Sequence, residues 1–348
     1  MNGGGEDMRW KRRPEGSNWG EFGPDDQLGR LNLLTPEKVL QGIAEVKVGR
    51  TFCLSLPLDY PGGNALNRLR HPPRYFVRGR NGECNFNFPL ARQNPDFTDV
   101  VSDEAVLLYT QYSTQWDSLA HVGSLFDADG DGEPEPVYYN GWRAGEDIVG
   151  PSGEARDGLM EGSHAKALGI ERMAETGVQG RAVLIDLERR YGRERVLVGY
   201  DDLMTICEED GVVVEPGDMV VLYTGFADLL LEMGKNPDPE RLVNACAVLD
   251  GRDQKLLQWI TDSQLSVLAA DNYAIEAYPA RPGSGSCAAL PLHEHCLFKL
   301  GVHLGELWYL GELAQWLRAH QRWRFLLTAP PLRLPGAVGS PVTPVATV

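Results

Sequence analysis

The hydrophobic and polar positions along the chain predict strands that alternate with helices. Three segments are almost continuously apolar, which is typical of strands buried on both faces: RAVLIDL (181–187), DMVVLYTG (218–225) and LSVLAAD (265–271). Two further segments, 51–56 and 105–116, also carry the apolar runs of short strands. The sequence therefore predicts a sheet with a buried centre.

Helical patterns lie before and between these segments. In LLTPEKVLQGIAEV, Thr35 is a predicted N-cap and Pro36 occupies the first helical position. Segments 163–177, 201–211 and 291–301 also show helical spacing, and Gly301 ends the last of them. Strands that alternate with helices indicate an α/β fold with a mixed central sheet.

The two ends of the chain differ in composition from the rest. Residues 1–23 and 329–348 are rich in Gly or Pro, so we expect a loose N-terminal extension and a loose Pro-rich tail. No internal repeat or linker divides the part between them. The prediction is a single domain over residues 24–328.

Charge and composition exclude several classes of partner. The net charge of −16 and pI near 4.9 argue against nucleic acid or an anionic membrane, because both need clustered Lys and Arg. The 6 cysteines form no C-x-x-C pair, and the chain has neither a signal-peptide core nor a run of about eighteen apolar residues. We expect a cytoplasmic protein that acts on a small molecule.

The segment TQYSTQWDSLAHVGSLFD (110–127) places polar side chains at alternate positions. If it is a strand, Gln111, Gln115, Asp117 and His121 all point to one face. A polar row is costly to bury unless it pairs with itself, a ligand or a metal. From this segment alone, a hydrogen-bonded polar face at a sheet edge is an equal alternative to a functional site.

A second group of polar residues lies in LPLHEHCLFKLGVHLGELW (290–308). His293 and His295 are two positions apart on a helix and face different directions, so only one can join a given site. On the following strand, His303 and Glu306 face opposite sides. One helix histidine and Glu306 therefore form the possible pair, although each histidine alone is more typical of a surface or core role.

These two segments together resemble the cyclase family that includes bacterial kynurenine formamidases and isatin hydrolases. The family signature is His-x-Gly-Thr-His-x-Asp-x-Pro-x-His, and Thr114, Asp117 and His121 match it. Gln111 and Gln115 replace its first two histidines. The resemblance extends over most of the chain and includes WGEFGPDDQLGRLNLLTPEKV, GRAVLIDL and EPGDMVVLYTG.

The resemblance implies a swivelling β/β/α-type fold, a homo-oligomer and one or two divalent metals that activate water to open an amide. In such a site Asp117, His293 and Glu306 are the metal ligands, and His121 is the acid-base residue. Gln115 and Gln111 complete the predicted ligand set.

The two glutamines change the expected metal. An amide offers only a neutral carbonyl oxygen, which is a harder and weaker donor than imidazole nitrogen. We therefore expect Mn or Mg to be favoured over Zn. The leading hypothesis is a hydrolase that opens a C–N bond in a small amide, formamide or cyclic imide. Two alternatives are a polyketide-type cyclase or dehydratase that uses the metal as a Lewis acid, and a metal-free binding module.

Overall fold

A nine-stranded mixed sheet forms the centre of the protein in a computed structural model that describes residues 8–80, 82–151, 153, 158–160 and 162–348. In chain order the strands are β1 (Thr51–Cys53), β2 (Gln115–Asp117), β3 (Gln179–Asp186), β4 (Met219–Tyr223), β5 (Val267–Ala270), β6 (His303–Glu306), β7 (Arg324–Thr328), β8 (Gly339–Pro341) and β9 (Val345–Thr347). Their order across the sheet is β1, β9, β7, β3, β4, β5, β6, β2, β8. The run from β3 to β6 is parallel and the outer pairings are antiparallel.

Helices cover the sheet. They are α1 (Pro36–Ala44), α2 (Ile170–Glu175), α3 (Glu188–Tyr191), α4 (Tyr200–Asp210), α5 (Phe226–Met233), α6 (Pro239–Val243), α7 (Gln254–Ser263), α8 (Pro291–His293) and α9 (Gly311–His320). Helix α8 continues as a π-helical segment, Glu294–Leu300, and 3-10 turns lie at Gly29–Leu33, Leu90–Arg92 and Tyr139–Gly141. Among the described residues, no helix combines the length and apolar character needed to cross a membrane.

Small two-stranded ribbons lie outside the main sheet. They pair Arg74–Phe76 with Ala105–Leu107, Gly79–Arg80 with Glu83–Cys84, Phe88–Pro89 with Val100–Val101, Ser124–Phe126 with Glu135–Val137, Ile148–Val149 with His164–Ala165, and Leu197–Val198 with Val248–Leu249. The first three lie between β1 and β2, so this part of the chain is not part of the main sheet.

The sheet has a hydrophobic core on each face, because successive side chains of a strand point to opposite sides. In β3, Val183 and Ile185 pack into one core, and Ala182 and Leu184 into the other. All four are fully buried. The continuously apolar segments therefore form the central strands, as the sequence predicts, and the mixed α/β class is confirmed.

Local signals outside the central strands gave one correct element and one wrong one. Helix α1 begins as predicted, with the Thr35 side chain accepting a hydrogen bond from the backbone nitrogen of Lys38. The single strand predicted over 105–116 is wrong, since only Ala105–Leu107 and Gln115–Asp117 are strands. Between them the chain turns, and the Thr114 hydroxyl accepts from the nitrogen of Leu56 at 2.9 Å.

For the described residues 8–23 and 329–348, the structure disagrees with the prediction of loose ends. Trp19 is buried, donates to the carbonyl of Phe298 at 2.8 Å and packs edge-on against the Phe298 ring. The Pro-rich tail supplies β8 and β9, and β8 pairs with β2 at the edge of the sheet. Composition did not predict these ordered contacts, because a few buried side chains and backbone hydrogen bonds to a sheet edge outweigh a high Gly and Pro content.

Candidate active site

The pairing of β2 with β6 places the first polar group of the site. Gln115 is the register partner of Glu306, and Asp117 lies two residues further along the same face of β2. The amide nitrogen of Gln115 donates to Glu306 Oε2 at 3.0 Å and to Asp117 Oδ1 at 3.3 Å. All three side chains are buried, so two carboxylates and an amide meet away from solvent.

His293 reaches this group from α8. Its Nε2 lies 3.2 Å from Glu306 Oε1, and its Nδ1 lies 2.8 Å from Glu276 Oε1. The other helix histidine, His295, points elsewhere and bonds through Nε2 to the Thr261 hydroxyl at 2.9 Å. The helix therefore brings one histidine to Glu306, in agreement with the spacing argument.

Glu276 is a site residue that the sequence reasoning missed. Besides contacting the His293 ring, its carboxylate accepts hydrogen bonds from the backbone nitrogens of Leu292 and His293, each at 3.0 Å. It thus holds the start of α8 and the imidazole together. The available signal was an acid within the mostly apolar segment YAIEAYP, which follows a buried strand.

The buried charges act strongly on one another. Burial disfavours the charged form of His293, but hydrogen bonds to Glu276 and Glu306 outweigh it and raise the pKa of the imidazole. Burial raises the pKa of Glu306, and the nearby Asp117 adds to this effect while the hydrogen bond from His293 opposes it. A cluster of three carboxylates around one imidazole is therefore short of positive charge.

His121 and Gln111 lie beside the cluster. His121 Nε2 is 3.8 Å from Asp117 Oδ1, and its Nδ1 is 3.5 Å from the amide nitrogen of Gln111. Burial lowers the pKa of His121, although Asp117 opposes this shift. The structure thus groups Gln115, Asp117, His293 and Glu306, and it places Gln111 next to the imidazole of His121.

The clustered residues fit a divalent cation. Asp117, His293 and Glu306 each offer a ligand atom, and these atoms lie within 4.8 Å of one another. Within the described part of the chain, the buried atoms Asp117 Oδ2 and Gln115 Oε1 have no hydrogen-bond partner. Such atoms are costly to bury, and a cation bound beside them would satisfy both. One imidazole with several oxygens is also an ordinary donor set for a divalent metal.

A cavity of about 190 Å³ opens onto these residues. Its lining includes four of the predicted site residues: Gln111, His121, His293 and Glu306. Arg70 also lines it, and no motif in the sequence marked this arginine. His121 and two of the candidate metal ligands, His293 and Glu306, therefore face one small compartment, which can hold a substrate of modest size.

Comparison with known proteins agrees with this arrangement. The family model described as "Putative cyclase" matches residues 54–277. A crystal structure described as "a novel cyclase" shares 30% sequence identity, with a TM-score of 0.72 and coverage of 95% of this chain and 97% of that chain. The chain belongs to the cyclase family.

Other solved structures share the fold at lower identity. Isatin hydrolase A from Ralstonia solanacearum is 15% identical, with a TM-score of 0.52 and coverage of 85% of this chain and 91% of that chain. Isatin hydrolase A from Labrenzia aggregata, bound to benzyl benzoate, is 12% identical, with a TM-score of 0.52 and coverage of 86% and 93%. A search of the curated proteins gives no match.

Proposed function

We propose that this cyclase-family chain is a metal-dependent hydrolase that opens a C–N bond in a small amide, formamide or cyclic imide. One observation carries the proposal: Asp117, His293 and Glu306 form a buried cluster, and two of them share one cavity with the half-buried imidazole of His121. Isatin hydrolases share the fold, which supports hydrolysis of a small amide as the reaction class.

Asp117, His293 and Glu306 would hold the metal, with Gln115 beside them. A divalent cation at this place supplies Lewis acidity, which polarises a carbonyl group and makes a water molecule acidic near neutral pH. Glu276 fixes the role of each His293 nitrogen. Because Nδ1 is engaged by the Glu276 carboxylate at 2.8 Å, Nε2 is the nitrogen left to face the metal position.

His121 would move the proton. Burial lowers the pKa of His121, so the ring is neutral near pH 7 and can accept a proton from the attacking water. The imidazolium would be stabilised by Asp117 Oδ1, 3.8 Å from Nε2. It would then return the proton to the leaving nitrogen, which must be protonated before an amine can depart.

The test combines metal content with product mass. Protein purified without chelator should contain a divalent metal. It should convert succinimide to succinamic acid, which is heavier by one water, and split formanilide into aniline and formate. Asp117→Asn and Glu306→Gln keep size but remove charge that balances the cation, so both should lose metal and activity together. A product that has not gained water would favour the cyclase or dehydratase, and a protein that takes up no metal would favour the binding module.

A further inference from the structure

Arg70 is the arginine among the side chains that line the cavity in the described part of the chain, where His121 and His293 are the other basic residues. Its Nη1 donates to the backbone carbonyl of Gln111 at 2.7 Å, and its own backbone nitrogen bonds to the carbonyl of Asn67 at 3.1 Å. The guanidinium is therefore anchored on the residue that also contacts His121. The residue is half-buried.

Arg70 differs in its partners from two arginines that pair with buried carboxylates. Arg181 is paired with Asp218, and Arg318 with Asp186. Within the described part of the chain, Arg70 has no ion pair, and the carbonyl of Gln111 is the acceptor of its guanidinium. A half-buried cation with most of its five N–H groups unused is suited to an acceptor that comes from outside the chain.

Two polar groups of the cavity wall, Tyr112 and Asn67, already have partners for their oxygens. The Tyr112 hydroxyl, which also lines the cavity, accepts from the nitrogen of Gly62 and donates to the carbonyl of Gly63, both at 3.0 Å. The side-chain oxygen of Asn67 already accepts from the nitrogen of Leu69 at 2.9 Å. The Asn67 amide therefore presents its NH₂ group as a further donor at the cavity wall.

Among the described residues, the acid that lines the cavity is Glu306, and Asp117 and Glu276 are buried in the same cluster. An anionic ligand would be repelled at that end unless a cation neutralises it, whereas the Arg70 end attracts a carboxylate directly. A planar guanidinium can bind a carboxylate through two parallel hydrogen bonds, which gives both charge and orientation.

Resting on the proposed function, we infer that Arg70 binds a carboxylate carried by the substrate, so that the enzyme acts on small anionic amides. The carboxylate at Arg70 fixes one end of the molecule, and the scissile carbonyl is then turned toward His121 and the metal ligands. Arg70 is a binding residue and takes no part in the proton transfers.

The experiment measures binding separately from turnover. Isothermal titration calorimetry of the metal-loaded protein would compare benzoate with its neutral analogue benzamide. We expect Arg70→Gln to weaken benzoate binding at least tenfold, which equals about 1.4 kcal/mol, and to change benzamide binding far less. The introduced glutamine can still donate to the carbonyl of Gln111, so the wall of the cavity should persist. Arg70→Lys, which keeps the charge, should recover part of the affinity.

Arg68→Gln is the matched control, because Arg68 is an exposed arginine of the same segment and does not line the cavity. It should leave benzoate binding unchanged. Equal loss of benzoate binding in Arg68→Gln and Arg70→Gln would overturn the inference, as would wild-type protein that binds benzoate no better than benzamide. A benzoate affinity that Arg70→Gln leaves unchanged would show that the carboxylate binds at the metal instead.

Turnover separates this inference from the proposed function. N-formylanthranilate and formanilide differ only in a carboxylate, and we expect kcat/KM to favour the anionic compound, with the preference lost in Arg70→Gln. Hydrolysis of both compounds at equal kcat/KM would refute the role of Arg70, but it would not contradict the proposed hydrolase function. Benzoate binding that depends on Arg70, in a protein that hydrolyses neither compound, would support the anion site and refute the proposed reaction.

Discussion

Glu276 Oε1 lies 2.8 Å from His293 Nδ1, and the same carboxylate accepts hydrogen bonds from the backbone nitrogens of Leu292 and His293. One buried acid therefore sets both the position of α8 and the orientation of the imidazole that faces Glu306. Replacement of a residue that supports a ligand in this way commonly weakens metal binding.

Glu276→Gln should weaken metal binding by roughly tenfold to a hundredfold, because a neutral amide polarises the His293 ring less than a carboxylate does. Competition of the purified protein with a fluorescent chelator measures this affinity. Glu294→Gln is the control, since Glu294 is next to His293 in sequence but bonds to the Ser124 hydroxyl instead. Equal metal affinity in Glu276→Gln and wild type would refute the supporting role.

The expected metal follows from the proposed ligand set, in which His293 supplies the nitrogen atom. Mn or Mg should support more activity than Zn, because oxygen donors suit the harder ions. Gln115→His should raise Zn affinity, since residue 115 lies beside Asp117 and Glu306 and imidazole is a better zinc ligand than an amide. Apoprotein reconstituted with each metal in turn provides the measurement. Full recovery with Zn alone would contradict the argument.

His121→Ala should separate proton transfer from metal binding. The ring lines the cavity beside the candidate ligands, and its loss removes the general base. We expect turnover to fall by roughly a hundredfold or more, while metal content measured by elemental analysis stays near that of the wild type. If His121→Ala strips the metal, His121 must be counted among the ligands.

The buried side chain of His303 should make the free energy of unfolding depend on pH. It is fully buried, and burial lowers its pKa to about 3 from the ordinary 6.5. The unfolded chain therefore binds a proton below pH 6.5 that the folded chain does not, so this histidine destabilises the fold as the pH falls. Between pH 7 and pH 5, wild type should lose roughly 2 kcal/mol more than His303→Leu. Urea unfolding at both pH values measures the difference, and parallel losses in the two proteins would contradict it.

The chain is expected to form a homo-oligomer, and an exposed apolar surface supports this. Tyr75 and Val106 are register partners in the ribbon between β1 and β2, and both are largely exposed, at 67% and 50%. Light scattering at micromolar concentration should give a mass above one chain. Replacing both residues by Lys should shift the mass toward the monomer, whereas Leu125→Lys, on another ribbon, should not. A monomeric wild type would refute the expectation.

Local patterns in the sequence were enough for the centre of the fold and for the types of residue in the site. The apolar segments of β3, β4 and β5 are readable because a strand buried on both faces must be hydrophobic at every position. The N-cap of α1 can be predicted from the sequence because Thr35 and Pro36 act within one turn. The spacing of His293, His295 and Glu306 predicted that one helix histidine could meet the acid, and it left open which one.

The rest depended on contacts between distant parts of the chain. No local pattern ties Glu276 to His293, Arg70 to the carbonyl of Gln111, or the tail strand β8 to β2. Each of these contacts forms only when the sheet register and the loop paths bring separate segments together. A buried acid or a half-buried arginine is ordinary in sequence, and it becomes informative only when the surrounding charges and hydrogen-bond partners are known.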